Sequence, residues 1–346
     1  MTWQRAFAAQ AQSCRDLGSP FTATLLDSFV SVGLPDGPIG ARIAAWPGDI
    51  SSNGASVPLR LAGALHGLVL EGRDTDLAAF YPPHPLAEPA ELHQAASAAI
   101  SRHEAYIDQR LNDAPQTNEV ARASALILAA DALAAQTGLP IVLSELGASA
   151  GLNLNFDRFR LVTPAGDFGP SDSPVILTPE WRSPAPAPHG FTVAERQGVD
   201  LSPRDPVAER IRLLSFIWPD QTARFHRIEA ALDIAAASPP KVAKADAIDW
   251  LETRLSKPHP GQLHLVYHTV AWQYFPAKVQ ARGEALLAEA GERATTDAPM
   301  ARLSMEADGH PPGAKLTLTL WPDGTTHELG RFDFHGRWID WSPPRF

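Results

Sequence analysis

Apolar residues recur at three- and four-residue spacing through residues 3–17, 21–32, 57–70 and 87–111 of the chain. That period gathers them on one face of an α-helix. A proline- and glycine-rich stretch, residues 33–54, interrupts the series. Residues 80–89, with prolines at 82, 83, 85 and 89, must run extended. Nothing before residue 115 alternates as a strand does. From there the pattern changes. A long helix is expected over residues 118–136, capped at its start by Thr117 and stopped by Gly138 and Pro140. Residues 141–146 are a short apolar run of the kind that forms a buried strand. A glycine turn and a second helix, residues 147–159, follow it. Further strands are expected at 191–200, 241–246, 262–270, 300–306, 315–321 and 327–334. Helices are expected at 205–237 (broken at Trp218 and Pro219), 250–255 and 277–290. Pro322, Asp323 and Gly324 mark a hairpin turn between the last two strands. Residues 160–190 are rich in proline, glycine and aspartate and read as an insertion.

Strands alternating with helices imply an α/β fold with a mostly parallel sheet. The terminal hairpin adds antiparallel strands to it. The expected division is a helical cap domain, 1–115, and an α/β domain, 116–346. Ligands of such sheets bind at the carboxyl ends of the strands.

Composition narrows the function. The 346 residues carry 29 basic and 39 acidic side chains, a net charge of −10. That is not the basic footprint of a nucleic-acid or anionic-membrane binder, so neither partner is expected. The single cysteine, Cys14, excludes an internal disulfide and cysteine-ligated zinc or iron–sulfur clusters, and suits a cytoplasmic location. His264 and His268, four apart on an expected strand, would lie about 13 Å from each other and cannot share an ion. No metal is expected. No apolar run approaches the roughly 18 residues of a membrane span.

The segment ELGASAGLNL, Glu145 to Leu154, carries the most chemistry. An acid ends the first strand, and Gly147 and Gly151 let the backbone approach a ligand closely. The segment resembles motif I of the class I S-adenosylmethionine-dependent methyltransferases, with Ser149 where the middle glycine usually stands. The resemblance implies a Rossmann-like fold and S-adenosylmethionine as cofactor, with Glu145, Gly147, Ser149 and Gly151 around its methionine part. It further implies Asp200, at the end of the second strand, for the ribose hydroxyls, and Asp246, after the third, for the adenine amino group. About 50 residues separate motif I from Asp200, where about 20 is usual, and the insertion takes up the excess. The fourth strand, ending HTVAWQYF, would lie beside the transferred methyl group. His268 is the first candidate for a base, Tyr274 the second, and Trp272 a pocket wall. Asn118 and Glu119 would face the substrate from the cap side. Over most of its length the chain also resembles bacterial domain-of-unknown-function family 2332, through PQTNEVARASAL, ELGASAGLNLNFDRF, LLSFIWPDQ, VAWQYFP and FHGRWIDW. That resemblance implies no activity.

The expected function is methyl transfer to a small-molecule substrate. Two other readings stand beside it. One is a methyltransferase-like fold kept for binding alone. The other treats Gly147 to Gly151 as the G-x-S-x-G elbow of a serine hydrolase. Ser149 would then be the nucleophile, with an acid from Asp246, Glu306 or Asp308 and a histidine from His310 or His335.

Overall fold

A computed structural model describes residues 2–116, 118–344 and 346. Thr117, the expected helix cap, lies outside the described residues. The chain divides into two compact units: Met1–Thr117 with Glu209–Glu229, and Asn118–Ala208 with Ala230–Phe346. The sequence reading placed residues 209–229 in the α/β part, whereas they pack within the helical unit.

The helical unit contains α1 (Trp3–Asp16), α2 (Pro20–Val32), α3 (Pro38–Ala44), α4 (Val57–Leu70), α5 (Thr75–Ala78), α6 (Pro89–Arg102) and α7 (Glu104–Arg110). Proline stands in the first turn of α2, α3, α4 and α6. Its fixed φ suits a helix start, and its missing N–H would have no partner there. Phe7, Leu26, Phe29, Leu61, Leu65 and Leu92 form the unit's core. Asp220 ties the second segment in, accepting from Ser19 Oγ (2.5 Å) and Phe21 N (2.8 Å). The expected helix 87–111 breaks at His103, whose backbone leaves the helical region.

The α/β unit opens with α8 (Ala123–Thr137), preceded by a single 3₁₀ turn, Val120–Arg122. Gly138, at φ +68°, ends α8 in the left-handed conformation that glycine tolerates. Strand β1 (Ile141–Leu146) is buried at every position. The inserted residues hold β2 (Arg160–Leu161), β3 (Ile176–Leu177) and β4 (Glu180–Trp181). Then comes β5 (Val193–Asp200); the chain next passes through α9 (Arg210–Ser215), which belongs to the helical unit, and α10 (Thr222–Ala237), before β6 (Val242–Lys244), α11 (Ala247–Arg254), β7 (Leu263–Thr269), α12 (Ala277–Glu292) and β8 (Met300–Glu306). Strands β9 (Ala314–Trp321), β10 (Thr325–Phe332) and β11 (Trp338–Trp341) complete the sheet. The unit boundary falls within α10.

The nine-stranded sheet runs β4-β11-β10-β9-β8-β7-β1-β5-β6. Strands β8, β7, β1, β5 and β6 pair in parallel, and β8 to β11 form an antiparallel meander around the expected hairpin. Despite the insertion, β5 lies directly beside β1. Strand β11 and the three short strands of the insertion were not expected. From β1 the chain steps outward through β5 to β6, then returns to the other side of β1 for β7 and β8. The order therefore reverses between β1 and β7. Val266 faces a core with Ile248 and Leu251 of α11 and Leu287 of α12. Tyr267 points to the opposite face, where its ring meets Phe156 at 6.1 Å.

Candidate functional site at the carboxyl ends of the parallel strands

At the reversal, residues 147–151 leave β1 in a turn with three left-handed residues: Gly147 (φ +75°), Ser149 (φ +50°) and Gly151 (φ +67°). Among the described residues only Ser56, Ser149 and Val270 are non-glycine residues with positive φ. Two of these three follow the ends of β1 and β7. Strain of this kind costs about 1–3 kcal/mol per residue and gathers at functional sites. Gly147 and Gly151 serve the packing as well. A Cβ on Gly147 would lie 2.7 Å from the Ala271 Cβ, and one on Gly151 would lie 2.8 Å from Pro240 and Val242.

The helix expected over residues 147–159 is a short 3₁₀ segment, Leu152–Arg158, with non-helical dihedrals at Asn155. Its carbonyls are taken by distant donors. Arg196 donates to Leu154 O (3.0 Å), and the Tyr267 hydroxyl to Asn153 O (3.3 Å). The asparagine side chains are also engaged: Asn153 donates to Glu119 O (3.3 Å), and Asn155 Oδ1 accepts from Arg196 (3.0 Å). Such bonds compete with helix formation.

Asp200, at the end of β5, accepts from Ser149 N and Ser202 N, both at 2.8 Å. Asn118 Oδ1 accepts from Ala150 N at 3.1 Å. Glu119 is buried and accepts from Ala121 N (3.1 Å), with His335 Nδ1 3.8 Å from its other oxygen. Asn118 and Asp200 thus grip the turn from two sides. Three buried atoms beside it have no hydrogen-bond partner among the described residues: Ser149 Oγ, Asn118 Nδ2 and Asn153 Oδ1. Buried polar atoms are rarely left so, and ligands or water commonly complete them.

Glu145 is buried, and among the described residues its side chain accepts one long hydrogen bond, from the Tyr267 hydroxyl at 3.5 Å. Burial, with the nearby Asp200 charge, pushes its carboxyl up to about 8, so it is largely protonated at neutral pH. Burial also raises Tyr267 well above the usual phenol range.

Other expected site residues are placed differently. His268 is fully buried, with Nδ1 2.7 Å from Glu306 Oε1 and Nε2 accepting from Arg302 Nε at 3.2 Å. Its ring stacks on Trp272 at 4.9 Å. Both nitrogens are committed and no face is open, so it cannot serve as the expected base. Burial pushes its imidazole below the usual range. Tyr274 is 73% exposed, in the loop after β7, and does not join the cluster. Trp272 is a core side chain packed against His268, with the Arg302 guanidinium carbon 4.4 Å from its ring centroid. Asp246 caps α11, accepting from Ile248 N (2.9 Å) and Asp249 N (3.2 Å). The hydrolase triad is not assembled. No base hydrogen-bonds Ser149 Oγ, Glu306 holds His268, and Asp308 pairs with Arg331.

Sequence reasoning missed Tyr267 and Asn153, and weighed Glu306 only as a hydrolase acid rather than as the partner of His268. Tyr267 adjoins a residue it did single out. Asn153 carries a signal in the alternating Leu-Asn-Leu-Asn run, unusual for a helix start. Glu306, like Glu145, ends a parallel strand.

A scan of family models matches residues 4–341 to a bacterial family described as "Uncharacterized protein conserved in bacteria (DUF2332)". The chain belongs to that family. Searches of curated proteins and of solved structures returned no match.

Proposed function

We propose that this member of the family binds S-adenosylmethionine at the carboxyl edge of its parallel strands and methylates a small molecule, on a Rossmann-like sheet of the class I methyltransferase type. One observation carries the reading: the under-bonded cluster of Glu145, Asn118, Ser149 and Asn153 coincides with the reversal of strand order. Ligands of open α/β sheets bind at that point.

The residues fit the cofactor. A carboxylate offers about four acceptor positions, and amides take two on Asp200, leaving capacity for a ribose diol. Asp246 caps through one oxygen only, and its other can accept from an adenine amino group. Glu145, Ser149 and Asn118 would hold the amino-acid part. A dinucleotide fits less well, because pyrophosphate favours the N-terminus of a regular helix. Here the turn enters a 3₁₀ segment with a buried acid at its base. When bound, the cofactor supplies a methyl group on a sulfonium centre.

The chain's own part is to bind, orient and exclude water. With His268 locked, a substrate atom that is nucleophilic without losing a proton suits the site best. The same locking favours a second reading, ligand binding without catalysis. Equilibrium dialysis of cofactor-free protein with S-adenosylmethionine and S-adenosylhomocysteine tests the site. Micromolar binding is expected, weakened roughly 10- to 150-fold in Asp200→Ala by the loss of charge-assisted bonds worth about 1.5–3 kcal/mol. Failure of both ligands to bind overturns the proposal. Labelled methyl transfer into a small-molecule extract then separates catalysis from binding.

A further inference from the structure

At the amino ends of β7 and β8, opposite the candidate site, lies a cavity of about 150 Å³. Its apolar wall includes Leu255, Ala290, Ala294 and Met300. Its polar lining is basic or hydroxylic, with Lys257, His259, His264, Arg293 and Ser256, and no carboxylate lines it.

Behind the wall runs a buried chain of hydrogen bonds. Arg254 Nε donates to Ser144 Oγ at 2.9 Å, and Ser144 Oγ lies 2.8 Å from His264 Nε2. Arginine can only donate. Among the described residues Ser144 has no other acceptor for its own proton, so it gives that proton to His264 Nε2. His264 is neutral, because burial with His259 and Arg254 nearby lowers its pKa to about 3. Its single N–H is therefore on Nδ1, which has no acceptor among the described residues. The ring sits 4.8 Å from His259 at the cavity wall. The C-termini of α11 and α12 attract cations in their own right, and Arg293 answers one of them by donating to Leu255 O at 3.2 Å. That accounts for Arg293 but not for the unmatched donor on His264.

We infer that this cavity binds a small monocarboxylate, its apolar body against Leu255, Ala290 and Met300 and its carboxylate accepting from His264 Nδ1 within reach of Lys257. A cavity of this size holds a body about as large as benzene. The site is independent of the cofactor reading.

Benzoate is the probe, and benzyl alcohol its neutral match in shape. Calorimetric titration of the full chain should show one benzoate site of about millimolar affinity, with benzyl alcohol at least about tenfold weaker. Lys257→Ala, at an exposed position, should weaken benzoate severalfold and leave benzyl alcohol unchanged. Ala294→Trp, which fills the cavity from its rim, should abolish binding of benzoate. In nitrogen-15 spectra, benzoate should move the His264 Nδ1–H proton downfield. Absence of benzoate binding overturns the inference, as does equal affinity for benzyl alcohol. Benzoate binding that survives Ala294→Trp in a folded protein overturns it too.

Discussion

Glu145 and Glu306 end two strands of the same parallel half-sheet, and both are largely buried, yet they sit in opposite charge states. Glu306 accepts from His268 Nδ1 (2.7 Å), Trp272 N (3.0 Å), Ala271 N (3.1 Å) and Gln273 N (3.4 Å). Those bonds outweigh desolvation and hold its carboxyl below the usual range. Glu145 has one long bond, and desolvation wins. The number of donors aimed at an acid, rather than its burial, decides its charge. Glu306 is complete and organises the loop after β7. Glu145 is incomplete and leaves a place for a ligand.

Glu306→Ala breaks this comparison on its structural side. It strands four donors and should lower stability by about 3–5 kcal/mol in urea denaturation at pH 7. A loss under about 1 kcal/mol would show that Glu306 does not organise the loop. Because the folded-state pKa of Glu306 is depressed, its stabilisation is present above the unfolded value near 4.3 and fades as pH falls below it. The difference between parent and variant should therefore shrink below about pH 4.

Gly283→Ala probes the stack that Glu306 supports. The new methyl would lie 2.4 Å from Trp272 Cη2 and 2.8 Å from Ile248 Cδ1. Helix propensity alone favours alanine by about 1 kcal/mol. Overpacking should reverse that sign and cost about 1–3 kcal/mol by thermal denaturation. A stabilised variant would mean that Trp272 gives way freely.

Asp246→Ala should cost about 1 kcal/mol, the worth of a helix N-cap, again read by denaturation. No loss would contradict its capping role.

The smallest change in stability is expected from Glu145→Gln, within about 0.5 kcal/mol near pH 4.5, where an amide replaces a protonated acid. A raised pKa stabilises the fold at low pH, and that benefit is lost as pH rises from about 4.3 towards 8. The variant should therefore gain on the parent between pH 5 and pH 8, in denaturation curves taken across that range. Parallel curves would place a charged carboxylate at Glu145 throughout.

These contrasts also separate what was legible in the sequence from what was not. Local signals carried well. The apolar run of β1, the glycines after it and the Pro322–Gly324 turn each specify their own structure within a few residues. The fate of His268 was illegible, because Arg302 and Glu306, which lock it, lie more than 30 residues away. Trp272 and Tyr274 are two residues apart in one 3₁₀ turn, one buried and one exposed, and a single turn is too short for periodicity to tell them apart. Strand β11 has only four residues and draws its identity from pairing with β10. Residues 209–229 join the helical unit through long-range contacts such as Asp220 with Ser19.

The most direct test is calorimetric titration of the cofactor-free protein with S-adenosylmethionine at pH 7, in two buffers of different ionisation enthalpy. A positively charged ligand within reach of Glu145 favours its carboxylate. Micromolar binding with net release of a proton is expected, and Glu145→Gln should lose that proton release. Absence of binding, or binding with no proton exchanged, would contradict the proposed site.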